Sequence, residues 1–180
     1  MSEPKEPSPA KLIVGLLYRE EEVFRQVVAT LTERFGPLDY LSEARPFTYT
    51  RYYEKEMGAN LLRRTASFLT PVHPGRLADI KLFSNRIEQE HAREGRRIIN
   101  IDPGLLSAER LVLATGKNYT HRIYLRDGVY ADLTLMYQGG DFQPFPWTYP
   151  DYQDQTLLHF LRALRAKLRG QLSGELPVSL

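Results

Sequence analysis

Leu-Ile-Val-Gly-Leu-Leu, at residues 12–17, is the stretch that decides the fold of this chain of 180 residues. The run is almost unbroken in apolar side chains and includes the β-branched residues Ile13 and Val14. Such a run is typical of a strand that is buried on both faces of a sheet. It therefore predicts a central strand.

Three amphipathic helices are predicted from apolar residues at helical spacing. The first follows three acidic residues at 20–22, whose charges suit a helix N-terminus, and stops at Gly36-Pro37. The second begins after Gly75 and carries a polar stripe beside its apolar one. The third places leucines on one side and arginines on the other. The polar stripe consists of Lys81, Asn85 and Glu88, and the arginines are Arg162, Arg165 and Arg169.

Further strands are predicted at 47–56, 64–69, 97–101 and 111–115, where β-branched and aromatic residues are frequent. The strand at 97–101 is expected to end in the turn Asp102-Pro103-Gly104. The clearest local signal is Asp127-Gly128 between the segments 121–126 and 129–137. It predicts a β-hairpin with a two-residue type I′ turn.

These elements predict an α+β fold with a mostly antiparallel sheet. Their order is compatible with a ferredoxin-like βαββαβ core that is extended by a C-terminal β-hairpin and a final helix. A doubly wound parallel sheet is the second choice, but it would need strict alternation of strands and helices. We expect residues 1–10 to be a disordered arm, residues 11–172 a single domain and residues 173–180 a flexible tail.

Composition excludes several classes of protein. The chain has no cysteine, which rules out disulfides, thiolate zinc sites, iron–sulfur clusters and cysteine nucleophiles. No apolar run approaches the roughly 18 residues of a spanning helix, and no segment after the polar start has the character of the apolar region of a secretory signal peptide. We therefore expect a cytoplasmic protein without a membrane partner. A net charge of +2 is too small to indicate nucleic-acid binding by itself, although it does not exclude it.

Six stretches of the chain carry a family resemblance. They are Lys-Leu-Ile-Val-Gly-Leu-Leu-Tyr (11–18), Tyr-Tyr-Glu-Lys-Glu-Met-Gly (52–58), Asn-Ile-Asp-Pro-Gly (100–104), Val-Leu-Ala-Thr-Gly-Lys-Asn (112–118), His-Arg-Ile-Tyr-Leu (121–125) and Trp-Thr-Tyr-Pro-Asp-Tyr (147–152). Together they resemble a family of bacterial proteins, DUF4416, that is defined only as a domain of unknown function. The resemblance runs from about residue 11 to the last helix. It implies no activity, cofactor or catalytic residue.

One face of the predicted hairpin gathers polar residues. With Asp127-Gly128 as the turn, the register places Ile123 opposite Asp132 and His121 opposite Thr134. His121 and Asp132 are then diagonal neighbours within about 8 Å. An imidazole that is oriented by a carboxylate is a candidate general base or metal ligand. The alternative is a partly exposed sheet face where these groups only satisfy one another.

Glu54 and Glu56 are candidate catalytic and metal-binding residues. They lie two apart on the predicted strand at 47–56, so both carboxylates would share one face, beside Tyr52. Such a pair is tolerated if Mg²⁺ or Mn²⁺ bridges it, if arginines neutralise it or if the face is solvated. With Asp102 as a further ligand, Mg²⁺ or Mn²⁺ is the candidate cofactor.

The candidate ligand-binding residues are polar or aromatic groups near strand ends and in loops. Asn100 shares a face with Asp102 where a strand was expected to end. Lys117 and Arg122 could bind an anion such as phosphate, with Arg122 directed away from the His121 face. Tyr52 is a further candidate.

The aromatic segment 142–150 has two interpretations. Through Trp147 it could stack a base or another ring, because aromatic side chains are tolerant platforms. The alternative is a lid that covers the core and that could also close over a site. The lid is the favoured interpretation.

No motif of a known enzyme class is present. The chain contains no Gly-x-x-x-x-Gly-Lys-Ser/Thr loop, no Gly-x-Ser-x-Gly elbow and no His-Glu-x-x-His pair. The leading hypothesis is an enzyme, with or without the assistance of a metal ion, that acts on a phosphorylated or nucleotide-like small molecule. The alternatives are a module that binds RNA or an acidic protein through the arginines of the last helix, and a structural homodimer.

Overall fold

A computed structural model describes residues 1–177 as an α+β fold, with one antiparallel sheet of nine strands and four α-helices. The strands are β1 (Lys11–Tyr18), β2 (Leu38–Leu41), β3 (Arg45–Pro46), β4 (Leu62–Phe68), β5 (Ile99–Leu106), β6 (Arg110–Thr115), β7 (Arg122–Arg126), β8 (Val129–Gln138) and β9 (Asp141–Pro144). The helices are α1 (Glu21–Phe35), α2 (Glu54–Met57), α3 (Leu77–Glu90) and α4 (Gln155–Leu172).

The core of the sheet has the ferredoxin-like arrangement. Its strands lie side by side in the order β2-β4-β1-β5, and each neighbouring pair is antiparallel. Helix α1 connects β1 to β2, and α3 connects β4 to β5, which is the βαββαβ order expected from the sequence. The short β3 and α2 are additions within the connection from β2 to β4.

Strand β1 is buried along its whole length, as the apolar run predicted. Its side chains alternate between two covering layers, since neighbouring residues of a strand face opposite ways. Leu12, Val14 and Leu16 pack in the cluster that includes α1 and α3. Ile13 packs with residues of α4, and Leu17 packs beside Met57 of α2. Helices therefore cover both faces of the sheet.

The N-terminal end of β1 is fixed by a buried ionic network. Lys11 is 0% exposed, and its Nζ donates to Asp39 and to the backbone oxygens of Phe68 and Leu69, at 2.8 and 3.0 Å. Lys167 of α4 contacts the same Asp39 carboxylate at 2.9 Å. The network thus ties β1, β2, β4 and α4 together.

The sheet opens between β5 and β6. These two strands pair only at Gly104–Leu113, Leu105–Val112 and Leu106–Leu111. Residues 99–103 of β5 therefore have β1 as a partner on one side and no strand on the other. The gap widens toward Ala114 and Thr115, at the far end of β6.

Helix α3 supplies the hydrogen bonds that the missing strand would have made. Glu88 Oε1 accepts from the backbone N–H of Ile101 at 2.6 Å, and Lys81 Nζ donates to the oxygen of the same residue at 2.9 Å. Buried backbone groups need such partners, because an unpaired one costs about 1–3 kcal/mol. The polar stripe of α3 is thus explained by the gap in the sheet.

The C-terminal extension contains the predicted hairpin, β7 and β8, and β9 pairs with β8 further along. Asp127 and Gly128 have φ values of 52° and 75°, as a type I′ turn requires. The predicted register was wrong by one residue: Asp132 lies opposite Arg122, not opposite Ile123. The cause is a register shift between Tyr124 and Arg126, where an extra residue bulges out.

Two local predictions were wrong. Residues 47–56 do not form a strand, because Glu54–Met57 is a short helix. Tyr53 and Met57 lie one helical turn apart and pack around Leu17, so tertiary packing outweighs the β propensity of the aromatic residues.

The second error concerns Pro103-Gly104, which lies inside β5. At Pro103 the strand is paired on one side only, a position where proline is tolerated.

The described residues at the two ends of the chain, 1–9 and 173–177, lie outside the helices and strands. Ala10 pairs with Val72 in an isolated bridge. The last three residues of the expected tail, 178–180, lie outside the described residues. Among the described residues, no helix is long and apolar enough to cross a membrane.

Candidate functional site

A cavity of about 610 Å³ lies at the opening between β5 and β6. The ends of both strands, helix α3, the segment around α2 and the segment before α4 enclose it. We call it the central cavity. It is lined by Phe47, Tyr49, Thr50, Tyr52, Tyr53, Arg63, Lys81, Asn85, Glu88, Arg97, Asn100, Asp102, Leu113, Ala114, Thr115, Gly116, Lys117, Arg122, Asp132, Tyr149, Pro150, Asp151 and Tyr152.

The lining of the central cavity is rich in charge and in tyrosine. Its five cations are Arg63, Lys81, Arg97, Lys117 and Arg122, and its four acids are Glu88, Asp102, Asp132 and Asp151. Five tyrosines, at positions 49, 52, 53, 149 and 152, lie among them. Protein interiors rarely collect this many ionisable groups without a function, because burial of each charge is costly.

A chain of hydrogen bonds crosses the floor of the cavity and ends at Asp102. Glu56 binds Arg97 through both carboxylate oxygens, with Nε–Oε1 and Nη2–Oε2 distances of 2.9 and 2.7 Å. Arg97 donates from Nη1 to Asn100 Oδ1 at 2.8 Å, and Asn100 Nδ2 donates to Asp102 Oδ2 at 2.7 Å. This chain fixes the orientation of the Asp102 carboxylate.

The outer end of this hydrogen-bond chain, the Glu56–Arg97 pair, stays charged. The hydrogen bonds from Arg97 lower the pKa of the Glu56 carboxyl, and the same contact raises the pKa of Arg97. Burial raises the pKa of Glu88, which lies 3.7 Å from Arg97. Glu56 and Arg97 therefore remain a charged pair at every physiological pH.

Arg63 reaches the cavity across the middle of β1. Its Nη1 lies 2.9 Å from Asp151 Oδ2 in a pair that is largely buried. A Cβ atom on Gly15 would lie only 2.7 Å from Arg63 Nη2, so the guanidinium needs a glycine at this point of β1. Burial raises the pKa of the neighbouring Tyr152 and Asp151.

Lys117 is the cation at the rim of the cavity. Its Nζ donates to the Tyr52 hydroxyl at 3.0 Å and lies 4.7 Å from the centre of that ring, and the hydrogen bond lowers the pKa of Tyr52. Among residues 1–177, no carboxylate lies within 4 Å of Lys117 Nζ. Arg122, in contrast, is bound by Asp132 at 2.8 Å. Lys117 is therefore the rim cation that is most available to an external anion.

His121 lies behind the cavity wall and not in the cavity. Its Nε2 is 3.3 Å from Asp132 Oδ2, and its ring stacks on Trp147 with centroids 4.8 Å apart. The Trp147 ring also stacks on Phe145 and donates its N–H to Leu133. Both rings are packed against other aromatic side chains, Trp147 remains partly exposed, and neither residue lines the central cavity. The prediction that Arg122 faces away from His121 was wrong, because both contact Asp132.

A family model described as Domain of unknown function (DUF4416) matches residues 8–168. The chain belongs to this family. Every residue that lines the central cavity lies within the matched DUF4416 segment. No curated protein and no solved structure matches the chain.

In this DUF4416 protein the candidate metal ligands do not converge. Glu54 is exposed at the start of α2, and Glu56 binds Arg97. Because they lie on a helix two residues apart, they do not share a face as they would on a strand. Only Asp102 lines the cavity, and the described part of the chain contains no group of three or more His, Asp or Glu side chains that could hold a metal ion.

The arginines of α4 are largely engaged within the DUF4416 domain. Arg162 pairs with Asp141 at 2.7 Å. Arg165 donates to the Ala108 oxygen at 2.6 Å and lies 3.5 Å from the centre of the Tyr137 ring. These two side chains are therefore poorly placed to bind RNA or an acidic partner.

Of the residues that the sequence singled out, six line the central cavity: Tyr52, Asn100, Asp102, Lys117, Arg122 and Asp132. Four residues of the lining were not predicted from the sequence: Arg63, Arg97, Tyr53 and Asp151. Lys81 and Glu88 were visible as a polar stripe on a helix, but no sequence pattern indicates that this stripe faces an opening in the sheet. Arg63 could be recognised only from its register opposite Leu17 on β1.

Proposed function

We propose that the protein is an enzyme that binds a phosphorylated or nucleotide-like small molecule in the central cavity. The observation that carries the proposal is Lys117, a rim cation that has no acidic partner among the described residues, in a lining that holds four further cations. A phosphate group would complete this arrangement, because charge-assisted hydrogen bonds to an anion are about twice as strong as neutral ones. The size of the cavity is also that of an ordinary small-molecule site.

The tyrosines support the nucleotide-like part of the proposal. Tyr52 at the rim is more than half exposed, and Tyr149 is similarly open to solvent beside it. Tyrosine rings offer flat apolar surface to a base or a sugar ring, and their hydroxyls bind polar groups. Tyr49 lies in the same lining.

Asp102 is the group that we assign to proton transfer. One of its carboxylate oxygens is held by Asn100, and the carboxylate is partly accessible from the cavity. An oriented carboxylate within reach of a ligand hydroxyl or amine is a suitable general base, and such a base contributes about 10²–10⁴-fold to a rate. Proton transfer by Asp102 itself needs no metal ion. A metal-assisted reaction would require ligands from the substrate beside Asp102.

Thermal unfolding with a panel of ligands tests the proposal. The panel contains phosphate, sugar phosphates and nucleotides, each with and without Mg²⁺. A ligand at about 100 times its dissociation constant stabilises the folded protein by about 2.7 kcal/mol, which corresponds to a rise of about 5–10 °C in Tm. We expect at least one phosphorylated compound to give such a rise.

The variant Lys117→Gln links that rise to the cavity. We expect it to weaken binding of the phosphorylated compound about tenfold or more, because it removes a charged hydrogen bond to the phosphate. Lys55→Gln is the matched control, since Lys55 is exposed on α2 and does not line the cavity. If no phosphorylated compound raises Tm, or if the two variants behave alike, the proposal is wrong.

Self-assembly is a second candidate function, which one observation favours. Strand β7 lies at the edge of the sheet and exposes three consecutive apolar residues, Ile123, Tyr124 and Leu125, with Ile123 70% exposed. An exposed apolar edge strand can pair with another chain. A homodimer through β7 is compatible with an enzyme, because β7 lies outside most of the cavity lining.

A further inference from the structure

We infer that the inner end of the central cavity binds a hydroxyl group, so that the ligand is a phosphorylated sugar, either free or as part of a nucleotide. The inference rests on the proposed function. It assigns a ligand hydroxyl to the part of the cavity that the phosphate does not occupy. The residues that carry it are Lys81 and Asp102.

Asp102 offers one unused acceptor. Its Oδ2 is occupied by the N–H of Asn100 at 2.7 Å, whereas no donor from residues 1–177 lies within hydrogen-bond distance of Oδ1. The nearest cation to Oδ1 is Lys81 Nζ, at 4.0 Å. Because the chain from Glu56 through Arg97 and Asn100 holds the carboxylate in place, Oδ1 cannot turn toward another protein donor without breaking that chain.

Lys81 offers unused donors at the same point. Its side chain is largely buried, with the residue 8% exposed, and its Nζ donates to the Ile101 oxygen at 2.9 Å. An ammonium group has three hydrogens, so two remain for other partners. The cavity is the open space around this group, because both Lys81 and Asp102 line it.

A single hydroxyl satisfies both groups. The oxygen of a ligand hydroxyl accepts from Lys81 while its hydrogen is donated to Asp102 Oδ1, so the hydroxyl reproduces both hydrogen bonds of the water that it would displace. An oxygen at ordinary hydrogen-bond distances of about 2.7–2.9 Å from each partner fits across the 4.0 Å between them. Asp102 would repel a phosphate. We therefore place the phosphate of the ligand at the rim of the cavity, beside Lys117.

Calorimetric titration with matched ligands tests the inference. Ribose 5-phosphate and cyclopentylmethyl phosphate share a five-membered ring and a phosphate, but only the first has hydroxyls. We expect the wild-type protein to bind ribose 5-phosphate about tenfold or more tightly, since a site built for hydroxyls is left with unpaired polar groups by the analogue. Adenosine 5′-monophosphate is the third ligand, and its affinity relative to ribose 5-phosphate shows whether the sugar is bound free or as part of a nucleotide.

Two variants assign the preference to the inner end. Asp102→Asn and Lys81→Met should each remove the preference for ribose 5-phosphate over cyclopentylmethyl phosphate, and the ratio of the two affinities is the readout because the altered charge of the cavity acts on both phosphates alike. Lys117→Gln should weaken both ligands equally. Asp102→Asn keeps an acceptor for Asn100. If Lys81→Met does not fold, the affinities of the Asp102→Asn variant test the inference by themselves.

The failures of the two proposals are distinguishable. If the wild-type protein binds both phosphates equally, or if Asp102→Asn keeps the preference, the hydroxyl site is wrong while the phosphate site stands. If neither phosphate binds the wild-type protein, both the proposed function and this inference are wrong.

Discussion

At the scale of single residues, the Lys11–Asp39 ion pair is buried and depends on its neighbours for hydrogen bonds. Both side chains are almost fully buried, and the pair is surrounded by Ser67, Lys167 and two backbone oxygens. Burial of two charges is costly, and the cost is offset only when every polar atom has a partner. The sequence gives no sign of this network, because Lys11 precedes an apolar strand and Asp39 lies 28 residues away.

Asp39→Asn should strongly destabilise the protein. The substitution leaves the Lys11 ammonium buried without a counter-charge, and removal of one partner of a buried pair typically costs about 3–5 kcal/mol. Urea unfolding at pH 7 measures the loss. The control is Asp141→Asn, which removes an exposed pair with Arg162 and should cost less than about 1 kcal/mol. Equal losses in the two variants would show that the buried network does not stabilise the fold.

The effect of Asp39→Asn should also depend on pH. Burial by itself raises the pKa of the Asp39 carboxyl, but hydrogen bonds from Lys11, Ser67 and Lys167 outweigh it and lower the pKa overall. A carboxyl whose pKa is lower in the folded state stabilises the protein above the unfolded pKa of about 3.9, and this contribution is lost as pH falls through the folded pKa. The difference between wild type and variant should therefore be largest near pH 7 and shrink below about pH 4. A difference that stays constant down to pH 3 would contradict this account.

The elements of the fold differ in how well the sequence predicts them. The βαββαβ order and the hairpin follow from local periodicity and from the Asp127-Gly128 turn, and the structure has both. The hairpin register was wrong by one residue because a bulge leaves no mark in the alternation of side chains. The segment 47–57 was assigned the wrong element because Tyr53 and Met57 pack around a residue of β1 that is distant in sequence.

The candidate site was predictable only where its residues share one strand or one loop. Asn100 and Asp102 lie two apart on a strand, and that spacing by itself places them on one face. Their neighbours across the cavity come from α3, β4 and the segment before α4, so they meet only once the sheet opens. The length over which β5 and β6 stay paired has no counterpart in the sequence.

Helix α4 provides a prediction at the scale of an element. The Asp154 side chain caps it by accepting from the backbone N–H groups of Thr156 and Leu157 at 3.0 and 3.2 Å. Asp154→Ala should lower the free energy of unfolding by about 1 kcal/mol, because both N–H groups lose their acceptor. Asp154→Asn keeps an acceptor and should cost only a few tenths of that amount. Urea unfolding of the three proteins decides between them, and equal stability of the alanine variant and wild type would rule out the cap.

At the scale of the whole molecule, the two edges of the sheet differ. Tyr40 and Leu41 on β2 are 37% and 38% exposed, whereas β7 exposes three apolar residues in succession, with Ile123 70% exposed. The β7 edge is therefore the face through which a second copy would pair.

Ile123→Lys should abolish self-association. We expect the wild-type protein to sediment as a dimer at high concentration and the variant to sediment as a monomer, because a lysine on an edge strand prevents pairing with another strand. Leu41→Lys places the same charge on the opposite edge and should leave the dimer intact. The stability of each monomer should change by less than about 0.5 kcal/mol. If wild type is a monomer at all concentrations, or if Leu41→Lys also dissociates the dimer, assembly through β7 is wrong.

The short pairing of β5 with β6 divides the sheet into two arms that are joined at a single place. One arm is β2-β4-β1-β5, the other is β6 with β8 and β7, and the pivot lies at Gly104, where an added Cβ would come within 2.9 Å of the Val112 oxygen and 2.6 Å of a Leu113 methyl carbon. Because Gly104 is tightly packed against β6, we expect any change in the angle between the two arms to pivot there. A small rotation there produces a larger displacement at Lys117, at the tip of one arm, than at Asp102, nearer the pivot on the other. We therefore expect the width of the central cavity to follow the angle between the two arms, so that the proposed site could accept molecules of different length.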